Sequence, residues 1–409
     1  MPAPAPVEPS EIELEVTALD DLARGVGQTQ GLTVRVPFTL PGERVRARLW
    51  RRDAGGADGH ADLLEVLTPS SARIAPGCPL FGVCGGCQLQ HASDGAQLDW
   101  KTSLVRHHLA AASLLLDVAP CAPSPRTYGY RSKITPHHDR LRADRPLAIG
   151  FLKFGRRHEV VDVERCPLAT DGINAALPAL RAEIAAAAPA RRKGASFLLR
   201  EAASGVTTDP DARVTERVGD VSLEFFAREF FQNNPFLLPR MVDFVVSSAA
   251  ATGATRLVDT YSGSGLFALA AATRFREVIG VEVSAGAVVA ARDNAARNGL
   301  GHVRFVQADS ARIFAALAPE MPGAPAQTAI IVDPPRKGCD DAFLTQLLAF
   351  APLAIVYVSC NPESLARDLA RLLPAGYRAA AVQPFDMFPQ TRHVECVAVL
   401  TRQSVPAPG

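Results

Sequence analysis

The stretch that decides the fold is LVDTYSGSGLFALA, residues 257–270. An apolar, strand-like run ends in a glycine-rich turn, and the turn opens a second apolar run of helical character. Gly263 and Gly265 permit a tight turn and a close approach of the backbone to a ligand. Glu282 closes the next predicted strand about 20 residues on, where a carboxylate can bind ribose hydroxyls. These features predict a pocket for a nucleoside-containing cofactor.

The same alternation of strand and helix continues through the rest of the chain after residue 226. The predicted elements lie at 256–259, 266–274, 278–283, 285–298, 303–307, 329–333 and 354–359. Strands that alternate with helices are typical of a parallel, doubly wound α/β sheet. We therefore expect a Rossmann-like domain over residues 226–409.

Acidic residues lie at the ends of three successive strands of this predicted sheet. They are Glu282, Asp309 and Asp333. The turn GSGLFA (263–268) also satisfies the loose dinucleotide fingerprint, so NAD and a purely structural turn are alternatives. Three acids on one rim suit ribose hydroxyls, an adenine amine and a sulfonium charge better than they suit a pyrophosphate. S-adenosylmethionine is the leading prediction for the cofactor.

A cysteine stands where another predicted strand ends. In VYVSCNPESLARDL (356–369) a β-branched run stops at Cys360, and Glu395 follows downstream in HVEC. The carboxyl ends of strands in an open α/β sheet are where ligands bind, so Cys360 is a candidate nucleophile. An inert buried thiol is the alternative for Cys360, and an ion pair with His393 or Arg392 is the alternative for Glu395.

Four further cysteines form a second constellation. CPLFGVCGGC (78–87) has the spacing C-x5-C-x2-C, and the fourth cysteine lies far downstream. They are Cys78, Cys84, Cys87 and Cys166. An iron–sulfur cluster is favoured over structural zinc, because zinc ribbons usually have two short C-x-x-C knuckles. Buried free thiols or disulfides are the third reading. We assign residues 70–225 to a central α+β domain that carries this centre.

The first part of the chain has the pattern of a small β-barrel. Residues 11–69 alternate between apolar and polar side chains and are broken by glycine and proline turns. Residues 1–10 are rich in proline and alanine and are predicted to be a disordered tail. Neither a signal peptide nor a membrane span is indicated, so we expect a cytoplasmic protein with no membrane partner.

Contact with nucleic acid has to come from local patches, because the formal net charge is only +1. The densest basic patch is residues 126–165, where Tyr128, Tyr130, Phe151 and Phe154 are interleaved with arginines and lysines. Arginines that hold phosphates and aromatic rings that stack on bases are typical of single-stranded RNA recognition. The alternative is a solvated hairpin face.

Taken in order, several motifs resemble the S-adenosylmethionine-dependent RNA 5-methyluridine methyltransferases. The motifs are FFQNNPFLLPRMV (230–242), DTYSGSGLF (259–267), GVEVSAGAVVAARDNAARNG (280–299), VDPPRKG (332–338), VYVSCNP (356–362) and DMFPQTRHVE (386–395). The resemblance covers nearly the whole chain. It implies that residues 11–69 are the RNA-binding TRAM barrel and that the four cysteines ligate a [4Fe–4S] cluster.

The resemblance also implies roles for single residues. Gln232, Tyr261, Glu282 and Asp333 correspond to cofactor-binding positions, Cys360 to the nucleophile and Glu395 to the general base. Two positions depart from the family pattern. Ser262 stands where many members have cysteine, and Leu266 stands where a polar or small residue is common.

The implied activity is methylation of carbon 5 of a uridine in RNA through a covalent cysteine–uracil intermediate. Ribosomal RNA is favoured over transfer RNA, and we expect a monomer. A non-catalytic RNA-binding scaffold and an NAD-dependent redox enzyme are the alternatives from other classes.

Overall fold

The computed structural model describes residues 6–52, 57–139, 146–187, 194–309, 313–314 and 325–403. Within these ranges, no helix has both the length and the apolar character needed to cross a membrane.

The N-terminal strands close into a five-stranded barrel of order β1-β2-β3-β5-β4. The strands are β1 (Pro6–Leu19), β2 (Arg24–Thr29), β3 (Leu32–Pro37), β4 (Arg44–Arg52) and β5 (Asp58–Thr68). Alternate residues point inward, as β3 shows with Val34 and Val36 fully buried. The predicted small barrel is confirmed.

The predicted tail at residues 1–10 needs a correction at its end. β1 begins at Pro6 and pairs with β4 at Ser10, which lies opposite Leu49. Residues 6–10 therefore belong to a barrel strand, because β4 offers them a pairing edge that local composition does not reveal. Residues 1–5 lie outside the described residues.

A central region holds two small sheets, of order β10-β7-β8-β9 and β12-β11-β6. Its elements are β6 (Lys133–Ile134), β7 (His137–His138), β8 (Ile149–Lys153), β9 (Arg156–Asp162), α2 (Asp171–Ala187), β10 (Ala195–Ser196), β11 (Leu199–Ala202) and β12 (Gly205–Thr207). Helix α2 buries Ile173, Leu177 and Ile184 against Ile149 and the start of β11.

The C-terminal half is a seven-stranded sheet of order β17-β16-β15-β18-β19-β21-β20, in which only β21 runs antiparallel to its neighbours. Its strands are β15 (Arg256–Thr260), β16 (Glu277–Glu282), β17 (Val303–Gln307), β18 (Thr328–Val332), β19 (Ala354–Ser359), β20 (Tyr377–Phe385) and β21 (Glu395–Arg402). Its helices are α3 (Leu238–Ala251), α4 (Leu266–Ala271), α5 (Ala285–Arg297), α6 (Asp341–Phe350) and α7 (Pro362–Leu372), with 3-10 turns at Pro325–Gln327 and Leu373–Ala375. The predicted α/β sheet is confirmed.

Two apolar layers cover the faces of this sheet, and both recruit residues from upstream of 226. The helix α1 (Asp94–Ala111) contributes Leu104 and Val105 to one layer. The hairpin of β13 (Arg213–Val218) and β14 (Val221–Phe226) contributes Leu223 to the other. The division into domains at residues 70 and 225 stays a prediction, and these segments share the core of the sheet.

The strand directions place the candidate site residues at one edge of the sheet. β15, β16, β18 and β19 are parallel, so their carboxyl ends lie together. Because β21 is antiparallel, its first residue lies at that same edge. Open α/β sheets bind their ligands in this place.

Candidate active site

Cys360 occupies a bend immediately after β19 and is half-buried. The next residue, Asn361, caps α7, and its side-chain oxygen accepts a hydrogen bond from the Glu363 N–H at 3.2 Å. The Nδ2 of Asn361 donates to the carbonyl of Arg336 at 3.1 Å. The cap therefore ties the turn of the predicted nucleophile to the loop that follows β18.

Glu395 lies opposite Cys360 across the β19 and β21 pair. The register pairs Ser359 with Cys396, so the next position of each strand brings Cys360 and Glu395 to facing places. Glu395 is 4% exposed, which contradicts the alternative of a surface ion pair. The structure thus brings together the two predicted catalytic residues.

Cys360, Glu395 and Asp333, which lie at this edge, have raised pKa values. Burial, the charge of Glu395 and the charge of Asp333 raise the pKa of Cys360 to about 11, and Arg336 opposes them. Burial and Asp333 raise the pKa of Glu395 to about 8, again against Arg336. Burial raises the pKa of Asp333 to about 7. Groups that titrate near or above neutral pH beside a cation are typical of catalytic sites.

The glycine turn after β15 is held by the acid at the end of β16. Glu282 accepts hydrogen bonds from the Gly263 N–H at 3.0 Å and the Ser284 N–H at 2.9 Å. Gly265 begins α4 with φ +97°, and a Cβ there would stand 3.0 Å from the Phe305 ring. Tyr261 also has a left-handed φ of 61°. Strained backbone of this kind clusters at ligand sites.

The buried polar atoms without a hydrogen-bond partner in the described chain include Gln232 Oε1, Asp259 Oδ1 and Ser262 Oγ. Buried polar atoms are normally paired, so these three fit a site that receives a polar ligand. By contrast, Asp309 is exposed, two residues beyond β17.

Sequence reasoning missed Asp259, which lies inside β15 and is fully buried. Its Oδ2 accepts a hydrogen bond from the Ala268 N–H at 2.9 Å, and burial raises its pKa well above the usual range. The sequence did contain a signal for this residue. A carboxyl group inside an otherwise apolar strand is costly to bury unless it has a hydrogen-bond partner or a ligand.

The cysteine loop (residues 78–87) and Cys166 line one cavity. Among the described residues, no three His, Cys, Asp or Glu side chains are arranged as a ready-made metal site. The four thiols nevertheless interact electrostatically. Burial raises the pKa of Cys87 to about 12, and the charges of Cys166, Cys84 and Cys78 contribute to this increase. Burial also raises the pKa of Cys166, whereas backbone hydrogen bonds from Ala169 and Leu168 to its thiol lower that pKa.

The same cavity, here called the basic cavity, is strongly cationic. Its charged lining residues are Arg24, Arg131, Lys153, Arg157, Arg165, Arg336 and Arg392, and no Asp or Glu is among the described residues that line it. It extends from the barrel past the cysteine loop to the loops beside Cys360. Phe151 and Phe154 also line it.

One aromatic residue of the predicted RNA-binding patch (residues 126–165) does not lie at the surface as expected. Tyr130 is fully buried, and its hydroxyl donates to the Pro389 carbonyl at 3.0 Å. It cannot stack on a base, because the packing of the patch against the catalytic half covers it. Residues 140–145 of the patch lie outside the described residues.

Comparison with known proteins gives consistent matches. The family profile described as tRNA (Uracil-5-)-methyltransferase matches residues 212–403. The tRNA (uracil(54)-C(5))-methyltransferase of Schizosaccharomyces pombe is 38% identical over 96% of this chain and 78% of that protein. The 23S rRNA (uracil(1939)-C(5))-methyltransferase of Alkalilimnicola ehrlichii is 33% identical over 98% of each chain.

A solved structure has the same overall fold. It is the Pyrococcus abyssi tRNA (uracil-54, C5)-methyltransferase in complex with S-adenosyl-L-homocysteine. It aligns with a TM-score of 0.73 at 24% identity and covers 95% of this chain and all of that chain.

Proposed function

Because the chain belongs to the RNA uracil-C5 methyltransferase family, we propose that it methylates carbon 5 of an RNA uridine through a covalent bond to Cys360. S-adenosylmethionine is the methyl donor. The observation that supports the covalent route best is the facing arrangement of Cys360 and the buried Glu395, at the same sheet edge as the glycine turn.

The first step activates the uracil ring. Carbon 5 of uracil is a poor nucleophile, so the Cys360 thiolate adds to carbon 6 and moves electron density onto the ring as an enolate. Carbon 5 then takes the methyl group from the sulfonium. Arg336 assists, because its charge lowers the pKa of Cys360 against the effect of burial.

The second step restores the aromatic ring. Glu395 removes the proton from carbon 5, the electron pair of that C–H bond forms the C5–C6 double bond, and the Cys360 sulfur leaves with the electrons of its bond to carbon 6. A carboxyl group with a pKa of about 8 exchanges protons efficiently near neutral pH. Burial of Glu395 supplies this property.

The donor would be held by the glycine turn and its neighbours. We assign the ribose hydroxyls to Glu282 and polar contacts to Gln232 and Asp333, with Gly263 and Gly265 allowing close approach of the backbone. The unpaired Gln232 Oε1 supports this assignment. Tyr261 adds an aromatic surface at the same turn, and Asp309 stays a predicted contact.

The four cysteines would hold a [4Fe–4S] cluster. Residues of the right type line one cavity, and backbone hydrogen bonds to the sulfur of Cys166 are of the kind that tune iron–sulfur ligands. We propose a structural role, because the cysteine loop contacts the barrel side through Phe81 and a central sheet through Gly85, and the residues that follow it bond to Gln390 of the catalytic half. Structural zinc is the competing assignment.

The basic cavity would bind the RNA backbone, and the barrel would act as the TRAM module of this family. A uracil within a helix presents neither face to a thiol, so the target uridine must lie in a loop or be flipped out. Seven cationic side chains along one path, with Phe151 and Phe154 beside them, suit a splayed single strand.

The RNA class needs its own test. One relative at 38% identity is named for uracil 54 of tRNA, and another at 33% is named for uracil 1939 of 23S rRNA. The preference for ribosomal RNA stays a prediction.

The decisive experiment incubates the wild type and Cys360→Ala anaerobically with labelled S-adenosylmethionine and bulk RNA that lacks 5-methyluridine. The RNA classes are then separated and their nucleosides are identified by mass spectrometry. We expect label in 5-methyluridine for the wild type alone, and the labelled class identifies the substrate.

A matched control is Cys339→Ala, which should stay active, since this buried thiol contacts the Tyr357 hydroxyl at 3.5 Å and has no part in the proposed mechanism. Both variants should bind S-adenosylmethionine as the wild type does. Turnover by Cys360→Ala would rule out the covalent mechanism, and the absence of label with every protein would favour a non-catalytic RNA-binding scaffold.

A further inference from the structure

The loop that precedes Glu395 is held in an unusual backbone conformation. We call residues 386–394, between β20 and β21, the base loop. Gln390, near its middle, is 1% exposed and has a φ of 68°. Residues other than glycine rarely adopt a left-handed φ, and they keep it only where the surrounding contacts enforce it. The contacts around Gln390 must therefore stabilise this conformation.

A pair of buried amides supplies one set of these contacts. The Nε2 of Gln97, on α1, donates to Gln390 Oε1 at 3.0 Å, and the Gln390 backbone N–H donates to Gln97 Oε1 at 2.9 Å. Gln97 is itself 1% exposed, and its Nε2 also donates to the Ala92 carbonyl at 2.9 Å. The side chain of Gln97 thus fixes both the backbone and the side chain of Gln390.

The segment that follows the cysteine loop hydrogen-bonds to the backbone carbonyl of Gln390. The Gln390 carbonyl accepts from the N–H groups of Gln88 and Leu89, each at 3.1 Å. Gln88 Oε1 in turn accepts from the Arg392 N–H at 3.3 Å. The backbone N–H and carbonyl of Gln390 are therefore both bonded to residues from 88–97, which lie 293 or more positions away in sequence.

We propose that Gln97 and Gln390 form a clasp that positions Glu395 for removal of the carbon 5 proton. This inference rests on the proposed function and deepens it. The base loop leads directly into Glu395, the first residue of β21, so a shift at Gln390 moves the carboxylate relative to the uracil. Cys360 belongs to a different turn, capped by Asn361, and keeps its place.

The clasp therefore separates the two halves of the reaction. Addition of the Cys360 sulfur to carbon 6 and methylation of carbon 5 proceed without it. Removal of the carbon 5 proton, which releases the sulfur from carbon 6, becomes slow. The methylated uracil then stays covalently bound to the protein. A residue with only a structural role would lower the amount of folded protein and would not trap an adduct.

The experiment compares Gln97→Leu and Gln390→Asn with the wild type under anaerobic conditions, using the full chain. Asparagine tolerates a left-handed φ but is one methylene too short to reach Gln97. We expect 5-methyluridine formation to fall about tenfold to a hundredfold, since small misplacements of a catalytic group cost this much. A covalent protein–RNA band should accumulate on denaturing gels, while the rate of Cys360 alkylation at about pH 6, where Glu395 is neutral, stays unchanged.

Thr102→Val is the matched control. Thr102 is a buried residue of the same helix, but its hydroxyl accepts from the Cys121 N–H at 2.9 Å and donates to the Leu98 carbonyl at 2.8 Å, so its hydrogen bonds in the described chain lie outside the base loop. It should lose stability without trapping RNA. If Gln97→Leu fails to fold, Gln97→Glu replaces it, because it keeps the shape and the acceptor oxygen but loses the donor to Gln390.

Glu395→Gln is run in parallel so that the two proposals can fail separately. An adduct with Glu395→Gln and none with the clasp variants would overturn the clasp alone, as would an equal adduct with Thr102→Val. No adduct with Glu395→Gln would overturn the base assignment, and the clasp inference would fall with it.

Discussion

Cys360 and Glu395 face each other across antiparallel strands, and the charge of Glu395 raises the pKa of the Cys360 thiol. Burial raises the pKa of Glu395 itself to about 8. Below that pH the carboxyl group is mostly protonated and neutral, and above it the carboxylate opposes thiolate formation. The nucleophile and the base are therefore coupled, and their coupling depends on pH.

Removing the charge of Glu395 should make Cys360 more reactive. Above its pKa of about 8, ionised Glu395 disfavours the thiolate, whereas glutamine does not. We expect iodoacetamide to alkylate Cys360 several-fold faster in Glu395→Gln at about pH 9 and equally fast at about pH 6. The chain has eight cysteines, and peptide mass spectrometry distinguishes Cys360 from the others. Equal rates at both pH values would show that the two groups are not coupled.

Breakdown of the covalent adduct should accelerate as pH rises. Glu395 accepts a proton only when it is ionised, and its pKa of about 8 means that this form is lost as pH falls through 8. We expect the rate at which a preformed protein–RNA adduct releases 5-methyluridine to rise with pH and level off above that value. Rapid mixing to different pH values measures this rate separately from thiol addition. A profile without a rise near pH 8 would contradict Glu395 as the base.

The sequence was most informative where a signal is local. Apolar runs that stop at glycine or proline predicted the ends of β15 and β19, and so the positions of Gly263 and Cys360. Partners that are distant in the chain left no such signal. Lys101 and Asp386 are 285 positions apart, and the buried environment of Tyr130 depends on the catalytic half packing over it. Composition alone made Tyr130 look like part of a surface.

A side chain at Gly265 should weaken binding of S-adenosylmethionine. The φ of +97° is strained for any L side chain, and a Cβ would press on Phe305 at 3.0 Å. We expect Gly265→Ala to lower the affinity at least tenfold, which corresponds to about 1.4 kcal/mol of binding free energy. Gly286→Ala is the control, because Gly286 lies in α5, where a Cβ would stand in ordinary van der Waals contact, 3.9 Å from Ser284 Oγ. Titration calorimetry measures both, and equal affinities would exclude the glycine turn from the site.

The buried ion pair that anchors the base loop to α1 should matter for stability. Lys101 Nζ lies 2.5 Å from Asp386 and also donates to the Phe388 carbonyl at 3.0 Å. Lys101→Met leaves a buried carboxylate without a counter-ion, so we expect the free energy of unfolding to fall by about 3–5 kcal/mol. Lys101→Met combined with Asp386→Leu should recover much of that loss, because no charge is then buried. Breaking the exposed Arg371 and Asp341 pair with Arg371→Met should cost under about 1 kcal/mol. Denaturant unfolding compares the four proteins, and equal losses for Lys101→Met and Arg371→Met would contradict the argument from burial.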